Sequence, residues 1–147
     1  VLFATRGGNG LLCQAGDLVG RTRQGKGFVS LDEGDEPLRP ALFTPGMARV
    51  LCVSAEGKAL VYALDEVKVL RNGGRGVILM GLDPKDALRQ AIVFGDAGVR
   101  IRGAGRGGKA VDRVFGAAAL EAWAGARARK GRFLEPRVRD AWLEAAH

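Results

Sequence analysis

The sequence holds one histidine, at position 147, and two cysteines, Cys13 and Cys52. A single terminal histidine excludes a histidine-based triad and a histidine-rich zinc site. The cysteines sit in apolar surroundings without CxxC spacing. Buried free thiols in a reducing compartment are expected, and a disulfide between them is the alternative. Tyrosine occurs once, at Tyr62, and tryptophan twice, at Trp123 and Trp142. Aromatics this scattered give little support to a protein-binding hot-spot surface. No apolar run reaches the roughly 18 residues of a spanning helix, and no signal-peptide pattern is present. Acidic residues are also short: 16 Asp and Glu against 23 Lys and Arg, a formal charge of +7. That balance favours a polyanionic partner, most simply nucleic acid. Solubility alone is the other reading of a basic chain, and clustering of the cations decides between them.

Clustering is what the chain has. Gly20-Arg21-Thr22-Arg23-Gln24-Gly25-Lys26-Gly27 holds three cations, three glycines and no acid. It runs into the apolar segment Phe28-Val29-Ser30-Leu31 and then the acidic turn Asp32-Glu33-Gly34-Asp35-Glu36. The order returns in Arg71-Asn72-Gly73-Gly74-Arg75-Gly76, then Val77 to Met80, then Asp83 and Asp86. A third copy is Arg127-Ala128-Arg129-Lys130-Gly131-Arg132 before Phe133-Leu134-Glu135. Gly25 and Gly74 are 49 residues apart.

At 147 residues the chain is long enough for one domain with its own core. It opens without Met on Val1-Leu2-Phe3-Ala4, already strand-like, and is expected to be a piece of something longer. Arg6 to Gly10 is hairpin-turn chemistry and Leu11 to Gln14 the return strand. The pattern restarts with Arg49 to Ser54, turns at Glu56-Gly57-Lys58 and returns through Ala59 to Tyr62. A third start is expected at Ala91-Ile92-Val93-Phe94, turning at Asp96-Ala97-Gly98 and returning through Val99 to Arg102. Lys109 to Phe115 can be a strand. Ala117 to Ala124 is alanine-rich and expected to make one or two helical turns, with Gly125 placed to end them. The tail from 136 to 147 reads as a last strand, a short helix or a frayed end.

Repeats of about 40–50 residues with some four short strands each are the mark of a propeller-like array. The expected fold is all-β: about three four-stranded repeats of a partial ring, with a short helical insert near 117–125. The repeats run over about 1–45, 46–88 and 89–135. A strand of four to six residues would hold each basic loop about 13–20 Å from its acidic turn. Basic ends lined up around a rim would suit a duplex wrapped on it, with affinity from phosphates and no base readout.

The motif Gly20 to Gly27, with Asp17-Leu18-Val19 before it, resembles the blade motif of a known family. It is that of the C-terminal β-pinwheel domains in the A chains of bacterial topoisomerase IV and gyrase. Leu70 to Val77 echoes it, and Gly125 to Arg132 resembles the final basic turn of the topoisomerase IV domain. The resemblance covers Val1 to about Arg132. It implies a disc of blades that exchange strands, whose basic outer surface binds and bends duplex DNA. That would support supercoil relaxation and decatenation. It also implies a place beside the upstream part of the same polypeptide, which carries the cleaving tyrosine, and a partner B chain in an A2B2 heterotetramer. The partner would supply ATP and Mg2+ chemistry; no cofactor, metal or catalytic residue is expected in this segment. A bacterial cytoplasmic location on the chromosome follows, with peripheral inner-membrane association open to the family. The gyrase domain carries a box reading Gln-Arg-Arg-Gly-Gly-Lys-Gly. Here Gln24-Gly25-Lys26-Gly27 comes nearest and lacks the Arg pair, which favours topoisomerase IV; the gyrase DNA-wrapping domain is the alternative. Tyr62 matches no nucleophile motif and reads as a packing residue.

Arg21, Arg23 and Lys26 are the first-ranked phosphate contacts. Lys68, Arg71 and Arg75 follow, then Arg127, Arg129, Lys130 and Arg132. Arg100, Arg102, Arg106 and Lys109 come last, because Asp96 or Asp112 can pair with some of them. Two rival readings remain. Gly103-Ala104-Gly105-Arg106-Gly107-Gly108 fits the outline of a dinucleotide loop, but the charged alternation of Val99 to Arg102 does not suit a central parallel strand. A protein-binding propeller without a nucleic-acid role is the second. Trp123 and Trp142 are both expected to pack in the core, with interface anchors as the alternative.

Overall fold

A computed structural model describes residues 1–14, 33–71, 73–135 and 137–146; the octapeptide at 20–27, and with it Arg21, Arg23 and Lys26, lies outside them. The first hairpin is β1 (Leu2–Ala4) with β2 (Asn9–Leu12). The second is β3 (Arg49–Ser54) with β4 (Lys58–Ala63). After them come β5 (Val77–Ile78), β6 (Leu88–Phe94), β7 (Val99–Ala104) and β8 (Ala110–Phe115). A single helical turn, α1 (Ala117–Leu120), a 3-10 turn at Glu121–Trp123, β9 (Arg132–Phe133) and β10 (Arg139–Ala145) complete the order.

The described strands form three sheets, in the orders β1-β2-β5, β6-β3-β4-β9 and β10-β7-β8. Each is built on one hairpin closed by the same turn. Gly8, Gly57 and Gly108 each donate to the carbonyl three residues back, Thr5, Ser54 and Gly105, at 3.0 Å. All three glycines have positive φ, at 95°, 95° and 79°, a region closed to most side chains. Beside each hairpin runs a later segment of the chain: the residues around Pro37 and Ala41 beside the first, β6 on β3, and β10 on β7; the first two lead on to the next sheet. The opposite edge of the first two hairpins is covered by an arm from the following repeat. β5 pairs with β2 and β9 with β4. Sheet membership therefore crosses the expected repeat boundaries, because each repeat lends a strand to the one before it.

The middle sheet is buried on both faces. Leu51 and Val53 of β3 point into a core shared with Val99, Ile101, Phe115, Leu120 and Trp123. Val50 and Cys52, between them in sequence, point into a core shared with Leu2, Leu12, Leu79 and Met80. That explains the uninterrupted apolar run at 50–53, where one exposed face would have required alternation. Tyr62, 1% exposed, donates its hydroxyl to the Leu79 carbonyl at 2.9 Å and touches the Cys52 sulfur at 3.5 Å. Both cysteines are free and buried. Burial pushes the Cys52 thiol up to about 12.

Several expectations need correction. Residues 91–94 and 99–102 do not form a hairpin: β6 pairs with β3, and β7 pairs with β8 and β10. The turn at Gly95 to Gly98 is a real reversal, closed at 3.0 Å, but it hands the chain from one sheet to the next. The third hairpin is β7–β8, and the glycine run 103–108 is its turn, followed by a strand where a dinucleotide loop requires a helix. The tail is a strand. Gly125 does not cap the helix in a left-handed conformation; its N–H donates to Val61 O at 2.9 Å, and the helical segment ends at Ala124. Trp123 packs edge-on against Phe115, as core packing required. Trp142 does not: β10 turns Ala141 and Leu143 inward and leaves Trp142 42% exposed, with the Arg39 guanidinium 5.9 Å from its ring.

Arm docking makes a specific demand on one glycine. Gly131 has φ 71°, and a Cβ there would collide with the Ala59 carbonyl oxygen of the receiving strand. Gly46 has φ 98° with nothing within 4 Å of such a Cβ. Gly46→Ala is expected to cost about 1–2 kcal/mol from backbone strain alone. Gly131→Ala should cost about 1–3 kcal/mol more from the added clash. Urea midpoints of the two variants check this; equal losses would refute the seating of the arm.

Candidate nucleic-acid interface

The basic loops lie on the exchanged arms. In the second repeat the arm enters beside β2: Leu12 N–H donates to Lys68 O at 2.9 Å, and Leu70 N–H donates back to Leu12 O at 2.8 Å. Gly73, Gly74 and Gly76 then turn the chain at positive φ before β5. Gly76 seats against the Gly10 carbonyl as Gly131 does against Ala59. Lys68, Arg71 and Arg75 are exposed along this arm. The third repeat repeats the construction, from Gly125 on Val61 O to Leu134 N–H on Gly57 O at 3.0 Å. Arg129, Lys130 and Arg132 are exposed there, and Arg127 is half-buried.

The two arms touch. Arg127 donates its guanidinium to Ile78 O at 2.6 Å and its backbone N–H to Glu66 Oε1 at 3.1 Å. Gly81 N–H donates to Arg129 O at 2.9 Å. Lys130 Nζ pairs with Asp83 at 2.7 Å, and Lys58 Nζ reaches the other oxygen of the same carboxylate, also at 2.7 Å. The hydrogen bonds from Lys130 and Lys58, reinforced by their charge, hold the Asp83 carboxyl down at about 2. The acidic turn of one repeat and the basic loop of the next therefore do not stand apart. An acid of one repeat meets a cation of the next in direct contact.

Asp35 and Asp86 brace turns. Asp35 Oδ1 accepts from the Gly7 and Glu36 N–H groups, both at 2.8 Å. Asp86 Oδ1 accepts from Glu56 N–H at 3.1 Å and Ala87 N–H at 2.8 Å. Slight burial works against the Asp35 carboxylate, but the bonds from Thr5, Gly7 and Glu36 outweigh it and lower its pKa.

The remaining candidates divide. Arg100 forms a two-pronged pair with Asp112 at 2.8 and 2.6 Å, and the Arg100 bond lowers the Asp112 pKa. Arg102 pairs with Glu144 at 2.6 Å. Arg132 donates to the Ala122 carbonyl. Arg106 and Lys109 are exposed on the third hairpin turn. Arg106 shares a cleft there with Arg137 and Arg139, which the repeat pattern did not flag because they follow its last copy. The position of Lys58 on the hairpin strand likewise gave no sign that it would grip Asp83.

Three kinds of relative share this construction. The family described as DNA gyrase C-terminal domain, beta-propeller, matches residues 1–36 and 48–94. The A chain of DNA topoisomerase 4 from Neisseria gonorrhoeae is 28% identical over 138 residues, which is 90% of this chain and 17% of that protein. Its counterpart from Haemophilus influenzae is 30% identical over 73 residues, half of this chain and 10% of the relative. The chain thus spans under a fifth of the curated relatives it matches. The C-terminal domain of E. coli ParC superposes with a TM-score of 0.77 at 21% identity, over 99% of this chain and 60% of that one. The DNA gyrase A C-terminal domain gives 0.72 at 16% identity, over 98% and 48%. The expected all-β pinwheel of strand-exchanging repeats is borne out, with one short α-helix among the described residues.

The clamp on Asp83 has a pH signature. Its folded pKa lies below the ordinary 3.8, so its contribution is present above the unfolded value and lost as pH falls through the folded one. Wild type should exceed Asp83→Asn in urea midpoint at pH 7, and the gap should close between about pH 4 and pH 2. A gap that persists at pH 2 would refute the ion pairs as its source.

Proposed function

Because this chain belongs to the family of DNA gyrase C-terminal β-propeller domains, we propose that it binds duplex DNA along its exchanged arms, as the C-terminal module of the topoisomerase IV A chain. The observation that supports this most is the recurrence of the basic glycine loop at one structural position. Gly76 and Gly131 dock alike on successive sheets, and each presents exposed cations beside the other. Cations repeated along one edge at intervals of a sheet suit the regular phosphate spacing of a duplex. Nothing in the arrangement reads bases, so affinity without strong sequence preference follows.

The wider role rests on the family. Bending a duplex on this edge would support supercoil relaxation and chromosome decatenation by a type IIA topoisomerase. The upstream part of the same polypeptide, together with a partner B chain, would complete an A2B2 enzyme using ATP and Mg2+ in the bacterial cytoplasm. The curated relatives named above, A chains of topoisomerase 4, and the missing Arg pair before Gly25 favour this over a gyrase wrapping domain. Arg21, Arg23 and Lys26 extend the proposed path by the sequence period. Lys68, Arg71, Arg75 and Arg129 carry it on the arms, and Lys130 adds to it only in exchange for its pair with Asp83. Arg100 and Arg102, held by acids, would contribute least.

Anisotropy of a labelled duplex across a salt series tests the proposal. Affinity should fall steeply with salt, and Lys68→Ala/Arg71→Ala/Arg75→Ala should flatten the log–log slope by about 0.9 per lost phosphate contact. A folded chain that does not bind DNA would favour the protein-binding reading. An unchanged slope in the variant would move the path off these arms.

A further inference from the structure

The three hairpin turns close with the same backbone hydrogen bond, but only two are filled. Gly7 and Glu56 occupy the residue before the left-handed glycine, and each donates its N–H to a carboxylate, Asp35 or Asp86. That carboxylate sits just before the strand that runs beside the hairpin and also takes the N–H of the residue after it. In the third turn Gly107 holds that sequence position, one residue before Gly108, but is itself left-handed at φ 71°. The chain entering β10 brings Arg137 and Arg139 there, and no described carboxylate accepts from the Gly107 N–H. A cleft of about 460 Å³ opens instead, between the turn at Gly105 to Gly108 and the start of β10.

Its charge is opposite to that of the filled turns. Arg106, Arg137 and Arg139 line it, and none of the three has an ion pair among the described residues. Arg137 is held in place with its guanidinium 3.7 Å from the Phe133 ring centre. Asp140, on the wall, has Arg89 at 3.9 Å as its counter-charge. Glu56 flanks Arg137 and Arg139 from the neighbouring turn, without pairing to either.

We propose that this cleft is a phosphate-binding site. A phosphate oxygen would take the Gly107 N–H, and the guanidiniums would hold the remaining oxygens. Three arginine forks with an open amide offer more donors than the two oxygens of a carboxylate can use, whereas a phosphate group has the oxygens to engage them. Glycines at 105, 107 and 108 let the group approach the backbone closely. The phosphate comes either from a duplex backbone or as a free or terminal group. The backbone source rests on the DNA-binding reading above; the capacity for phosphate does not.

The test is an amide-resolved NMR titration of the 147-residue chain with inorganic phosphate, at ionic strength held constant with chloride. The Gly107 signal should shift saturably. Arg106→Ala should weaken the effect several-fold and Arg137→Ala/Arg139→Ala should abolish it, with the Leu2 and Leu51 amides unmoved as evidence of folding. No saturable shift, an equal response to chloride, or binding indifferent to both variants would overturn the site. A duplex that displaces phosphate from Gly107 identifies the source as backbone. A duplex that binds while phosphate stays in place identifies a free or terminal group. Phosphate binding in a chain that binds no duplex would sink the DNA reading and leave the site standing.

Discussion

The structure depends on a strand edge that each hairpin cannot cover by itself. β2 and β4 each expose a row of backbone donors and acceptors on the side away from their own hairpin partner. Left open, such an edge invites pairing with other chains. Here the next repeat covers it, first through one or two bonds from an extended segment and then through a two-residue strand. The glycine before that strand must lie flat against the receiving carbonyl. This contact fixes both where the arm runs and where its cations stand.

Electrostatics then follows from packing. Acids do not form a separate pole. Asp35 and Asp86 spend their oxygens on turn amides, and Asp83 bridges two lysines from different repeats. Charge is therefore cancelled where sheets join, while exposed cations stand along the arms and arginines without ion pairs among the described residues line the cleft of the third turn.

Much of this was legible locally. Glycine at the hairpin turns, the basic loop ahead of a short strand, and the two-sided apolar run of β3 each carry their structure in a few adjacent residues. What could not be read was pairing at a distance. Residues 91–94, the turn at 95–98 and residues 99–102 have all the local chemistry of a hairpin, and only the competing edge of β3 decides that β6 pairs elsewhere. The same holds for Lys58 and Asp83, far apart in sequence. Trp142 reads as core by type, but its place one residue out of phase with Ala141 and Leu143 turns it outward. Arg137 and Arg139 acquire meaning only beside Gly107, which the chain meets some thirty residues earlier, well within the span of one repeat.

Lending a strand backwards has a consequence for synthesis. A chain emerging N-terminus first presents β1 and β2 long before the residues at 68–78 that cover them, and β4 well before those at 124–133. Each of these sheets therefore leaves the ribosome one strand short and is completed only when the following repeat has been translated. Until then its open edge is the part of the nascent chain most exposed to mispairing. The order of the repeats is thus also a timetable, in which a blade waits for its successor.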